Sequence, residues 1–567
     1  MGRKQLSLFA AGLLVLAVAL TIATPAQAAM RTGDIAPHAA DVVHVCEDGM
    51  IFTFAETGPQ PPVASLDVTF FVTSPPDSGN VVAQLATTLP FNPIAVVSRT
   101  DRAHIRNYSG IFTIPWSLPA GTVINLAVGG PDSGSQISHT VQDCQLPAQP
   151  PECGRVITQD TKLRADIVNC LGPAIVIGAD HITLDLNGHK LDGTGLGAGV
   201  DNYDGHEGVV IKRGTIQQFD AGVGIAGGRD NHLQRLTLSD NDEGIVAVES
   251  SGNLIERNTA SGNKFTGILT DGSENRVERN TASANRSRFS GEGIVVGGSN
   301  NIVEGNAVSA NGLGIELGGF LVGSNFTTNN LVQRNRLSGD SMLLDGADNN
   351  DVVRNTVSGN TSDFGGGIDL LSSSENRIAN NVVFDSASDG IGILGGSNRN
   401  HIEENSSFRN AGAGILISLS VFDDGNNLVT HNSTYQNAQG IALVDADRTQ
   451  VLENRTFSNG VGIEVGSGFD TENNNRIEGN VALGNREDGI RISASSFGTL
   501  LARNRAIANR GDGIDVDNPD PLTTLTQNTA IGNSELGIEA EPGVTDGGGN
   551  RASGNGDPAQ CTGVVCS

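Results

Sequence analysis

Asn253-Leu-Ile-Glu-Arg-Asn258-Thr-Ala-Ser-Gly-Asn263, followed closely by Gly267-Ile268, is the stretch that decides the fold. The same phrase, Asn-x-(Ile/Val/Leu)-x-x-Asn-x-x-x-x-Asn and then Gly-Ile, returns almost to the C-terminus. Its middle asparagine recurs at Asn258, Asn280, Asn306, Asn335, Asn355, Asn381, Asn405, Asn432, Asn454, Asn480, Asn504 and Asn528, at intervals of 20 to 29 residues. A unit this short cannot bury its own apolar face and must stack on its neighbours. Counted from Asn187 to Asn550, the period predicts about sixteen coils and a long, ridged, one-dimensional surface.

Inside one repeat the pattern alternates with period 2. Ile255, Val277, Val303, Val332, Val352, Ile378, Ile402, Val429, Val451, Ile477, Leu501 and Leu525 share one position and are predicted to point inward. Glu256, Glu278, Glu304, Glu403 and Glu478 follow them and are predicted to be exposed. The Gly-Ile pairs, from Gly244 to Gly537, start another strand, with glycine expected there for the positive φ of a tight corner. Aligned asparagines can satisfy turn backbone in the coils above and below. Phe384, Phe408, Tyr435 and Phe457 form a further column, expected to pack in the interior and to continue through Leu483, Ile507 and Ile531.

Outside the repeat the chain divides cleanly. Arg3 and Lys4, an apolar run from Leu6 to Ile22 and Ala26-Gln-Ala28 read as a secretory leader over residues 1–29. The run is short and no second span follows, so an exported chain without a membrane span is expected. Residues 30–145 show short alternating runs, such as Leu66 to Val72 and Val81 to Leu85, and are expected to form a small β-sandwich. The Pro-rich residues 146–152 are the linker, and residues 153–567 the solenoid. Six cysteines in an oxidising compartment favour disulfides, paired as Cys46–Cys144, Cys153–Cys170 and Cys561–Cys566. A formal charge of −28, made more negative by loss of the leader, removes nucleic acid as a default partner. Oligomeric state is not legible.

Two phrases carry a resemblance. Cys153-Gly-Arg-Val-Ile-Thr158 and Ile182-Thr-Leu-Asp-Leu-Asn-Gly-His189, ahead of the asparagine repeats, resemble secreted bacterial proteins of the right-handed parallel β-helix type, in the broad pectin-lyase-like superfamily. The resemblance covers residues 153–567 and implies an all-β, right-handed parallel β-helix. It does not fix the chemistry, because such folds host lyases, epimerases, hydrolases and proteins without activity. Asp423-Asp424 lacks the Gly-His-Gly and Arg-x-Lys that polygalacturonase-like hydrolysis requires, and the Asp-Pro-His-Asp motif of alginate epimerases is absent. His181, His189, His206 and His232 cluster early, but without thiolates or His-x-His they make a poor copper chain.

The residue after each Gly-Ile pair should face solvent. In the late coils this position holds Glu464, Arg491, Asp515 and Glu539, which parallel stacking would place in a ladder with ~4.8 Å steps. Asp488 and Asp512 precede their glycines, and Asp517 is the next outward residue after Asp515. These residues point to binding of an acidic polysaccharide or cell-surface glycan. Arg491, Asp515 and Asp488 are the candidate catalytic groups, and Glu464, Asp512, Asp517 and Glu539 the binding groups. Asp515 and Asp517 could hold calcium. Any cleavage they support is of the polysaccharide-lyase type, β-elimination. The competing reading is a non-catalytic structural or adhesive solenoid, with Arg491 an ion-pair rung between like charges.

Overall fold

In a computed structural model the described residues are seven strands between 35 and 140, seen as backbone pairing, and residues 150–567 without 287–290, 319–326, 362–364, 419–424, 467–473, 495 and 518–519. The predicted leader and the Cys46–Cys144 bridge lie outside the described residues. The strands are β1 (Ile35–Cys46), β2 (Gly49–Gly58), β3 (Ser65–Thr73), β4 (Val81–Asn92), β5 (His104–Thr113), β6 (Val123–Val128) and β7 (Gln136–Thr140). They pair in the order β1-β2-β5-β4-β3-β6-β7. β4 runs against β3 along its length and reaches β5 only through Phe91 and Asn92, so one strand links a three-stranded and a four-stranded group.

From Arg155 onward no helix occurs among the described residues, and short strands pair in parallel with their equivalents one coil away. Each regular coil has three faces. Leu254–Glu256, Thr259–Ser261 and Thr266–Asp271 make one coil, and they pair with Arg276–Glu278, Thr281–Ser283 and Glu292–Gly297 of the next. The third face carries the Gly-Ile pairs and stacks seventeen strands, from Arg155–Ile157 to Ile538–Ala540. Along the first face Ile255, Val277, Val303, Ile378 and Ile477 lie in register and are fully buried.

The glutamates beside them do face away from that core, but they are not exposed as the alternation predicts. Glu278 and Glu478 retain only 4% and 6% of their surface. Arg276 and Arg279 both ion-pair with Glu278, and Arg476 and Arg503 with Glu478. The long arginine stems from the same and neighbouring coils cover the carboxylates while their heads stay in water.

Three asparagine ladders run through the stack, one for each asparagine of the repeated phrase. Asn432 shows the pattern: its backbone N–H and its Nδ2 both donate to Asn454 Oδ1, at 2.8 and 3.0 Å. Its Nδ2 also donates to the carbonyl of Ile402 one coil back, and its Oδ1 accepts from Asn405. Parallel ladders run through Asn253 and Asn275, and through Asn263 and Asn285. The amides of Asn253, Asn263 and Asn432 are thereby paired in places that water does not reach.

The Gly-Ile glycines have a different reason from the one the sequence suggests. None of them has positive φ. A Cβ on Gly267 would lie 2.6 Å from the carbonyl oxygen of Gly293 and 2.7 Å from Asn285 Nδ2, so glycine is needed for close approach to the next coil. Left-handed backbone falls instead on the residue before the middle asparagine, as at Arg257 (φ 54°) and Arg503 (φ 55°). That conformation costs a non-glycine residue about 1–2 kcal/mol. It lets the Arg257 N–H donate to Glu278 O in the next coil, at 3.1 Å.

The aromatic column is also outward, not interior. Val383, Ser407, Thr434 and Thr456 take the inward positions, and Phe384, Phe408, Tyr435 and Phe457 stand half-buried on the second face. Their rings stack nearly parallel, with centroids 5.1, 4.6 and 4.7 Å apart. Stacking one ring per coil covers their faces, so mainly ring edges meet solvent. Disulfides Cys153–Cys170 and Cys561–Cys566 form at the two ends of the stack.

Candidate functional site

The outward column of the third face changes character along the axis. In the early coils it is Val246, Leu269 and Val295, all buried. In the late coils it runs Leu416, Ala442, Glu464, Arg491, Asp515 and Glu539, each in register with the next. An open cavity of about 320 Å³ lies at the start of this polar stretch. Leu416, Ala442 and Val444 form its apolar wall, and Asp389, Gln439 and Glu464 supply its polar groups. Glu464 belongs both to the cavity and to the charged ladder beyond it.

Arg491 is half-buried and holds three carboxylates: Asp488 at 2.6 Å, Glu487 at 3.0 Å and Glu464 at 3.7 Å. Burial works against its charge, but Asp488, Glu487 and Glu464 more than offset this and push its pKa above the ordinary value. Arg491 is a fixed cation, unable to act as a base. Asp488 is buried, and its second oxygen accepts the Asp512 N–H at 2.7 Å. Asp512 repeats the device on the next coil, accepting the Leu536 N–H at 2.6 Å.

Beyond Arg491 no cation pairs with the carboxylates of Asp512, Asp515 and Glu539 among the described residues. One ligand oxygen from each of Asp512, Asp515 and Glu539 can be chosen so that all lie within 4.8 Å of one another. Burial, reinforced by the neighbouring negative charges, raises the carboxyls of Asp512 and Asp515 to about 7. This is a hard-oxygen set of the kind that suits calcium. Asp517 is exposed and falls outside the trio, though its charge contributes to the rise at Asp515. Residues 467–473 and 518–519, in the segments that follow the Glu464 and Asp515 strands, lie outside the described residues.

Asp389, Gln439 and Glu487 escaped the sequence reading. Asp389 was findable: it stands before Gly390-Ile391 as Asp488 and Asp512 stand before their pairs, and it likewise accepts the next coil's amide, from Ala413 at 2.6 Å. The early histidines do not converge on a metal site. His189 pairs with Asp166, His206 with Asp180 and His232 with Glu256, each joining adjacent coils. Among the described residues the acidic trio is the one group of three or more side chains placed to share a cation.

Residues 176–366 match the family described as periplasmic copper-binding protein (NosD). Residues 322–457 and 419–556 match the family described as right handed beta helix region. None of the curated proteins matches the chain. Among solved structures, the periplasmic alginate epimerase AlgG is 15% identical with a TM-score of 0.33, over 63% of this chain and 76% of its own. Dettilon tailspike protein is 15% identical with a TM-score of 0.30, over 64% and 61%. DFA-IIIase from Arthrobacter chlorophenolicus A6, in complex with GF2, is 12% identical with a TM-score of 0.28, over 52% and 70%. At these identities the likeness concerns fold alone. Parallel coils, asparagine ladders and the family matches agree, and the chain is a right-handed parallel β-helix repeat protein.

Proposed function

We propose that this protein is exported and binds an acidic polysaccharide along the late coils of its third face. The observation that carries this reading is continuity: the cavity between Asp389 and Glu464 runs directly into the Arg491, Asp512 and Asp515 cluster on one outward surface. An apolar wall with a few polar groups suits a sugar ring, and two disulfides fit an oxidising compartment. Calcium held by Asp512, Asp515 and Glu539 would supply the positive charge that anchors a uronate carboxylate in this acidic cleft.

The bond-breaking chemistry these residues support is β-elimination. Asp515, ionised, takes the proton α to the uronate carboxylate as the glycosidic C–O bond breaks and a C=C bond forms. Asp512, protonated, gives its proton to the departing oxygen. Both carboxyls sit near neutrality, where one of each form coexists. Arg491 stabilises the negative charge that develops on the sugar. Calcium, where bound, would make ligands of Asp512 and Asp515, occupying the lone pair of the base and displacing the proton of the acid, so the loaded site anchors the chain without cleaving it. In the absence of calcium the uronate meets Arg491 and elimination proceeds, and calcium titration separates binding from cleavage.

The exported protein, incubated with a polysaccharide panel with and without calcium, should retain an acidic member in affinity electrophoresis. Products absorbing in the ultraviolet would report elimination, and new reducing ends alone would report hydrolysis. Ala442→Trp, which fills the cavity, should abolish the calcium-dependent part of the retention, and Asp515→Asn should abolish elimination. Calcium-dependent retention untouched by Ala442→Trp would refute the cleft. The second reading, a structural or adhesive solenoid, draws on the saturation of Arg491 by three carboxylates. It predicts no product from any panel member.

A further inference from the structure

Far from the cleft, one corner of the early coils is basic. The left-handed position that ends the first face carries arginine in six of seven successive coils: Arg213, Arg235, Arg257, Arg279, Arg334 and Arg354, with Gly305 in the remaining one. All six are exposed, with φ between 52° and 61°. Side chains rarely adopt that backbone, and asparagine or glycine would fit it with less strain. Beyond Arg354 the same corner holds Asn380, Glu404, His431, Glu453 and Gly479, so the run ends there, and the later Arg503 stands alone before Gln527 and pairs with Glu478. Coils stack at ~4.8 Å, so the arginines form a row of guanidinium groups along the axis.

Their pairing is incomplete. Arg213 meets Asp185, Arg279 meets Glu278 and Arg334 meets Glu304, while Arg257 lies 3.8 Å from Glu256. Arg235 and Arg354 have no carboxylate partner among the described residues. The adjoining second face is a bed of hydroxyls. Its outer column is serine in every coil from Ser239 to Ser358, and its other outward column is threonine at Thr237, Thr259, Thr281 and Thr356, interrupted by Ala307 and Arg336.

We infer that this corner and the hydroxyl face beside it bind a linear anionic polysaccharide lying along the helix axis. Carboxylate or sulfate groups pair with the arginine row, and sugar hydroxyls exchange hydrogen bonds with the serine and threonine columns. Guanidinium groups suit this role because their planar fork matches an oxyanion in two places. A uronate chain carries one charge per ring, a spacing comparable to one coil. Duplex DNA carries one charge per about 1.7 Å, far denser than this row. The inference does not rest on the cleft, which occupies other coils and another face.

The test uses the full exported protein and Arg235→Ser with Arg354→Ser, a pair whose loss leaves no carboxylate orphaned. Ala442→Trp serves as the cleft control. Probes are sodium polygalacturonate, dextran sulfate, fully methyl-esterified polygalacturonate and duplex DNA, measured at low and at high salt. Polygalacturonate or dextran sulfate should bind, weaken with salt, and lose about tenfold in affinity in the double variant. Whichever of the two binds tighter identifies the anion. Ala442→Trp should leave this salt-sensitive component intact even if the cleft reading fails. Equal binding of the methyl-esterified polymer, tighter binding of DNA, or an unchanged double variant would each overturn the inference.

Discussion

Arg491 shows how a residue legible in one dimension changes meaning in three. Alternation places it outward between Glu464 and Asp515, and the register agrees. Its saturation by Asp488 and Glu487 comes from the turn before it, and it makes the arginine a neutraliser of a buried carboxylate. Arg491→Ala should therefore lower stability by about 2–3 kcal/mol by chemical denaturation, because Asp488 is left buried and unpaired. An exposed rung would have cost almost nothing. Asp515 gives a prediction of opposite sign. Its carboxyl is raised in the fold from the ordinary 3.8 to about 7, so the folded state holds this proton more tightly than the unfolded chain. The stability this provides is complete below pH 4 and is lost as pH rises through 7. Asp515→Asn cannot ionise and should match the parent at pH 4 yet exceed it at pH 8, by on the order of 2 kcal/mol. Thermal midpoints at the two pH values, without calcium, check the difference.

At the scale of the element, the asparagine corner holds more of the stack together than its polarity suggests. Asn432 is 1% exposed, and its amide links the coils on both sides. Asn432→Ala leaves the Asn405 N–H and the Ile402 carbonyl without their partner, and should cost about 2–4 kcal/mol in urea unfolding. A loss below about 0.5 kcal/mol would show the ladder to be redundant. The asparagine period was plain in the sequence, and all three asparagines of the phrase, Asn253, Asn258 and Asn263, are ladder positions. The backbone carbonyls their amides reach were not legible, because those partners lie one coil away. The aromatic column failed for another reason. Phe384 to Phe457 follow Val383, Ser407, Thr434 and Thr456, and small polar residues at the inward positions of this face disguised which partner was the core.

Across the whole molecule, a stack of coils is stabilised by nearest neighbours and is weakest at its ends. The Cys561–Cys566 bridge holds the last turn, where Cys561 pairs with Ile538 and Cys566 with Asn550. Replacing both cysteines by serine should speed amide exchange in Ile538–Ala540 and Arg551–Ser553 while leaving Ile368–Leu371 unchanged. Uniform acceleration along the chain would mean that the coils unfold as one unit. The sequence by itself determined the parallel stack, its repeat and its first-face core, because these follow from local alternation and from a period that each coil repeats. Only the tertiary structure decided which outward carboxylates are covered, why the Gly-Ile glycines tolerate no side chain, where the aromatic rings face and what neutralises Arg491. Each of these depends on side chains from coils of unequal length meeting across a 20- to 29-residue interval, a distance over which no local pattern fixes the partner.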